Sequence, residues 1–226
     1  MKKRSRAVIL TGFVGLKGTA ILAERYKEKI DSRYPMYLSR GAEHMADSVA
    51  EDSEKALKVI EAHLARYAEA HPETKNKAEA KGKNVAERKS EAIENPVTEI
   101  ADGGFLTAMW TLAKEVGQGF TLDLRKVPLK QETVEICELT EVNPYHLCSY
   151  GCIAAIVPDG LLLQEELEKQ GIPSVIIGYT NSTKAHILMN DGTESHLNRP
   201  EPDEIDRLGL REFLRIGLVR FGGLYG

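Results

Sequence analysis

Between residues 105 and 116 the large apolar side chains fall at Phe105, Met109, Leu112 and Val116, steps of 4, 3 and 4 that line one helix face. Gly117 and Gly119 close the stripe, as glycine does at helix ends. Phe120, Leu122 and Leu124 then alternate with Thr121 and Asp123, the period of a half-buried strand. Upstream, RAVILTGFVGLKGTAILAERYKEKI predicts a strand, a glycine-spaced loop and a helix. A second helix is predicted from about Gly41 into the sixties, with Leu57, Ile60, Leu64 and Tyr67 at steps of 3, 4 and 3. Downstream come a helix at about 131–140, the loop EVNPYHLCSYG and the buried strand CIAAIVPDG. A helix at 160–170, ended by Gly171, and the continuous apolar strand SVIIGY follow. Residues 185–190 and 193–197 flank Asp191-Gly192, a hairpin signal because both turn positions tolerate positive φ. Strands mixed with helices, with one hairpin, indicate an α+β fold: a mixed or antiparallel sheet layered with helices.

Residues 71–94, HPETKNKAEAKGKNVAERKSEAIE, break this pattern. Val85 and Ile93 are the only large aliphatics, so the stretch buries little surface and reads as a solvated helix or flexible linker. Its lysines and Arg88 alternate with Glu79, Glu87 and Glu91, which argues against a nucleic-acid patch. The expected organisation is one domain over 1–226, interrupted by this charged insertion, with 201–226 as an extension. The tail LGLREFLRIGLVRFGGLYG reads as an amphipathic helix or a partner-binding end.

The chain has 226 residues, 42% hydrophobic and 28% charged, ordinary for a soluble globular protein. A net charge of −4 and a pI of about 5.9 give no sign of nucleic-acid binding. MKKRSR precedes only AVIL, too short for a signal peptide, and no run approaches the roughly 20 apolar residues of a membrane span. A cytoplasmic protein is expected. The three cysteines, Cys137, Cys148 and Cys152, are then reduced thiols. His146, Cys148 and Cys152 are close in sequence, but no second ligand pair accompanies them, and no metal site is expected. Nothing in the spacing orients His146 toward a nucleophilic thiol.

Two glycine-bearing stretches carry candidate chemistry. Gly12, Gly15 and Gly18 recur every third residue, which is neither the Rossmann nor the P-loop spacing, and Lys17 is expected as an exposed loop lysine. Asp102-Gly103-Gly104 sits at the predicted start of the helix over 105–116. There the first backbone N–H groups lack intrahelical partners, and missing Cβ atoms let a phosphate approach. Alternatively, Asp102 caps the helix and the glycines only permit the turn. Both readings stay open, the stretch by itself favouring the cap.

The order of these motifs resembles the C-terminal domain of the AIR synthetase superfamily. The carrying residues are Ala101-Asp102-Gly103-Gly104 with FLTAMWTLAKEVGQG, then FTLDL, VPLKQETVEICELTEVNP, SYGCIAAIVPDG, QGIPSVIIGYT and HILMNDGTESHL. TGFVGLKGTAILAERY is similar to the family's T-K-G-I-x-x-E-G-T-A-I-L-A segment. The resemblance covers about 7–30 and 97–200 and is greatest to the hydrogenase-maturation, carbamoyl dehydratase-like branch. Members also include aminoimidazole-ribonucleotide synthetase, selenophosphate synthetase and thiamine-monophosphate kinase.

The resemblance implies that Asp102, Gly103 and Gly104 face nucleotide phosphates, with ATP and magnesium as the implied cofactors. The family's N-terminal domain, which supplies most ATP and metal ligands, has no counterpart in this sequence. Its D-x-T-E-G-G loop is reduced here to Glu99-Ile100-Ala101-Asp102-Gly103-Gly104. The maturation factor's terminal cysteine is replaced by Gly222-Gly223-Leu224-Tyr225-Gly226. The expectation is a maturation-factor-like protein binding a phosphate, a nucleotide or a partner, without complete ATP-dependent catalysis on its own. A homo-oligomer, or a partner protein carrying the N-terminal domain, is expected; nucleic acid and membranes are not. The alternative is a non-catalytic scaffold that keeps the fold. No catalytic residue is assigned.

Overall fold

Every residue of AVILT is buried, because strand β1 (Ala7–Thr11) pairs on both edges and carries helices on both faces. The structure, a computed structural model, describes residues 5–47, 49–72 and 95–213. Six further strands complete the sheet: β2 (Val97–Ile100), β3 (Phe120–Asp123), β4 (Cys152–Val157), β5 (Ser174–Thr180), β6 (His186–Asn190) and β7 (Thr193–His196). Their order is β2-β4-β1-β5-β3-β6-β7, antiparallel throughout except for the parallel pair β3–β6. This is an α+β architecture.

Alternation along the strands sorts their side chains into two layers. Val8, Leu10, Cys152, Ala154 and Ile156 pack with Phe105, Met109 and Leu112 of helix α5 (Gly104–Val116). Ala7, Ile9, Ile153, Ala155 and Val157 face the other way, against Ala56 and Ile60 of α4 (Val49–Ala70) and Leu163 and Leu167 of α7 (Gly160–Lys169). A third cluster joins α1 (Leu16–Arg25), α2 (Lys27–Arg33), α3 (Met36–Glu43), α6 (Gln131–Thr140) and the short α8 (Glu204–Arg207) through Leu22, Ile30, Leu38, Ile136, Leu147 and Ile205.

The expected hairpin is present: Asp191 and Gly192 take φ 47° and 78° between β6 and β7. The helix expected from Gly41 is instead broken, with α3 ending at Glu43 and α4 starting at Val49. The buried face of α4 runs through Ala56, Ile60 and His63, while Leu57 is 37% exposed. Leu124 leaves the strand period and opens a short 3-10 turn, because Asp123 accepts the Arg125 N–H and bends the chain. β2, only four residues long, has no period visible in the sequence. The insertion from residue 73 to 94 and the tail beyond 213 lie outside the described residues.

Candidate functional site at the start of helix α5

Strand β2 runs into Ala101 and delivers the chain to the two glycines. Gly103 and Gly104 take φ 77° and 68°, a region that L side chains rarely adopt. A Cβ on Gly104 would stand 2.7 Å from the carbonyl oxygens of Tyr145 and Leu147, so the 145–147 turn packs directly on the helix start. Backbone shape and this close approach together require the glycines, whether or not a ligand binds.

Asp102 does not cap the helix, contrary to the local reading. Gly103 occupies the N-cap position and has no side-chain cap from its own stretch. The turn directs the Asp102 carboxylate elsewhere: its Oδ1 accepts from the Tyr150 hydroxyl at 2.8 Å, and Oδ2 lies 3.6 Å from the Arg211 guanidinium. Burial, then the bond to Asp102, pushes the Tyr150 phenol well up.

The group that reaches the start of α5 is Asp203. Its Oδ2 accepts the Gly103 N–H at 2.7 Å, and its Oδ1 accepts the Ile205 N–H at 2.9 Å. Two amides, one from the start of α5 and one from α8, thus converge on one carboxylate that is 3% exposed. Burial raises the Asp203 pKa above its ordinary value, while the Ile205 and Gly103 amides, holding the ionised form, act in the opposite direction. Sequence reasoning missed Asp203 because no local pattern links it to a residue 100 positions earlier. Beside Gly103, the buried Thr107 Oγ1 has no hydrogen-bond partner among the described residues.

Lys17, expected exposed, is buried in the first turn of α1, where burial lowers its pKa against the attraction of Cys148, Glu24 and Asp47. The helix begins at Leu16, so Lys17 lies in it rather than in the loop. The loop before it is tied down by Gly15 N–H donating to Ser149 Oγ at 2.7 Å. An open cleft of about 450 Å³ adjoins this loop, with Phe13, Asp52, Glu132 and Lys130 among its lining. Lys130 Nζ lies 4.4 Å from the centre of the Phe13 ring.

All three cysteines are buried, and burial raises each thiol pKa, that of Cys137 to about 12. The Nδ1 of His146 is buried without a partner among the described residues, and its Nε2 lies 3.8 Å from Glu201. Among the described residues, no group of three or more His, Cys, Asp or Glu side chains is placed to hold a metal ion. Nor is any described helix long and apolar enough to cross a membrane. At the start of α5 the Gly103 donor is taken by Asp203, so a phosphate there would have to displace that carboxylate.

Comparison with solved structures places this geometry in a known fold. The chain is similar to Escherichia coli HypE, a hydrogenase maturation protein, with a TM-score of 0.56 and 14% identity over 89% of this chain and 52% of that one. It is similar to a chain of the HypE–HypF complex (TM-score 0.53, 17% identity, 88% of this chain and 54% of that one). HypE in complex with ATP also matches (TM-score 0.53, 14% identity, 88% and 51%). The chain therefore spans about half the length of these structures, 51–54%. At such identities the likeness shows the fold alone, a mixed α+β sheet layered with helices as in HypE. No protein-family model matches the sequence, and a search of curated proteins finds no match.

Proposed function

We propose that this chain is a maturation-factor-like binding module of the AIR synthetase C-terminal type. It offers the start of α5, at Asp102, Gly103 and Gly104, to a phosphate or nucleotide, without completing ATP-dependent catalysis alone. The observation that carries the reading is the start of α5 itself: the Gly103 N–H, with that of Ile205, is aimed at a carboxylate, an arrangement that suits an oxyanion. The likeness to HypE, one structure of which contains ATP, supports a role in metallocentre assembly, with a partner protein or a second copy supplying the other half-site. HypE itself is found in complex with HypF, which supports a partner-dependent role. Calorimetric titration of ADP into the purified chain, with magnesium, tests the reading. Millimolar binding is expected, and it is expected to vanish in Gly103→Val. No heat of binding in the unmodified chain counts against it.

One observation favours a second reading, a scaffold that keeps the fold without a ligand. Asp203 already satisfies these amides, so the fold needs no external anion there.

A further inference from the structure

The cleft beside the loop after β1 holds a carboxylate and an ammonium that the fold does not pair. Glu132, in the first turn of α6, lines it with a half-buried carboxylate that makes no hydrogen bond or ion pair among the described residues. A Cβ on Gly41 of α3 would stand 3.2 Å from the Glu132 Oε1, so the bare glycine leaves that carboxylate its room. Lys130, exposed just before α6, likewise has no carboxylate partner among the described residues. Its Nζ lies 4.4 Å from the centre of the Phe13 ring. Asp52, from the first turn of α4, adds a second carboxylate to the lining, and Leu16, Met45, Val49 and Ile172 supply apolar surface.

The walls are fixed in advance of any ligand. Gly12 N–H donates to the Pro173 carbonyl at 2.8 Å and Val14 N–H to the Pro128 carbonyl at 2.9 Å, so Phe13 is held between two backbone bonds. A Cβ on Gly151 would stand 2.4 Å from the Val49 Cβ, so the start of α4 seats on bare backbone. The volume, about 450 Å³, is that of a small-molecule site. We infer that this cleft binds a small zwitterion with an aliphatic side chain, an apolar α-amino acid. Its ammonium meets Glu132, its carboxylate meets Lys130, and its side chain lies against Phe13 and Met45. A half-buried carboxylate without a counter-ion gains from an ammonium. A simple cation would leave Lys130 unanswered and be repelled by it, and a simple anion would face Asp52 and Glu132. Only a ligand carrying both charges matches the lining.

L-Leucine, titrated into the full chain and followed by nitrogen-15 amide shifts, is the test. Millimolar affinity is expected, with the largest shifts at Phe13, Gly41 and Lys130. Isoamylamine, which is leucine without its carboxylate, and isocaproate, which is leucine without its ammonium, are each expected to bind about threefold more weakly or worse. Both analogues are applied to the unmodified chain, so the test does not hang on how a variant folds. Glu132→Gln is expected to lower leucine affinity by about tenfold, the scale of one charge-assisted hydrogen bond. Lys130→Met keeps an apolar stem over Phe13 and is expected to lose about threefold, because the ammonium it removes is exposed. Either analogue binding as tightly as leucine overturns the zwitterion, and leucine affinity unchanged in both variants overturns the site. No leucine binding by the unmodified chain overturns both and leaves the phosphate reading untouched, because the cleft shares no lining residue with Asp102, Gly103 or Gly104.

Discussion

The backbone N–H of Gly103 donates to the carboxylate of Asp203 at 2.7 Å, joining the start of the longest sheet-packed helix on its face to a residue 100 positions later. A helix start leaves several N–H groups without intrahelical partners, and a buried one without any partner is costly. In this fold the acceptor comes from the α8 segment, which explains why that segment is anchored where it is.

Truncating that acceptor strands a buried donor. Asp203→Ala is expected to cost about 1–3 kcal/mol for the donors left unpaired. Urea unfolding of the variant and the unmodified chain measures the difference, and an unchanged midpoint would show that the bond carries no stability.

The Asp203 pKa also fixes a pH dependence. Because folding raises it, the folded state favours the protonated form. This contribution is fully present below the unfolded carboxylate value of about 3.9 and is lost as pH rises through the higher folded value. The stability of the unmodified chain relative to Asp203→Asn is therefore expected to fall as pH rises above about 4. Urea midpoints at acid and at neutral pH read the sign, and a rise would contradict it.

The two kinds of glycine at left-handed φ separate strain from packing. Gly171, at φ 73°, has nothing within 4 Å of an added Cβ, so Gly171→Ala is expected to cost only backbone strain of about 1 kcal/mol. Gly104→Ala adds a clash at 2.7 Å with two backbone carbonyl oxygens and is expected to cost clearly more, about 3 kcal/mol or beyond. Thermal melts of the pair check the ranking.

Helices α4 and α7 are held together by His63, 3% exposed, whose Nε2 meets the Pro158 carbonyl at 3.0 Å and whose Nδ1 meets Glu166 at 3.3 Å. His63→Ala is expected to lose about 2–4 kcal/mol through the unpaired carbonyl and the cavity. Arg66→Ala removes only an exposed partner of Glu166 and is expected to leave the melting temperature nearly unchanged. Equal losses from the two would refute the clamp.

The thiols give a chemical check. All three are buried with raised pKa values, so a thiol reagent at neutral pH is expected to label none in the folded chain and three after unfolding. For Cys137 the sign is again that of a raised group. Its stabilising contribution is present below about pH 8.5 and is lost as pH rises toward about 12.

Much of the frame was legible where a period was long enough to count. The stripe of α5, the all-apolar run of β4 and the Asp191-Gly192 turn each stand as the pattern predicts. Legibility stopped where tertiary contacts decide. β2 is a four-residue edge strand whose one partner among the described residues is β4. The α3–α4 break falls where no glycine or proline marks it. Lys17 is buried although its neighbours read as a loop, because α1 starts one residue before it. At the site, the sequence marked Gly103 and Gly104 correctly as a helix start but pointed to Asp102 as the cap. Positive φ at Gly103 turns Asp102 toward Tyr150, and the acceptor that replaces it carries no local signature.

The central claim, that the start of α5 receives a phosphate or nucleotide at Asp102, Gly103 and Gly104, is tested most directly by backbone amide shifts. Nitrogen-15 spectra of the unmodified chain are recorded while phosphate and magnesium are added. The account predicts that the Gly103 and Gly104 amides move among the largest shifts. A Gly103 amide that stays still while the amides of Phe13 and Lys130 move would place the anion in the neighbouring cleft and contradict it.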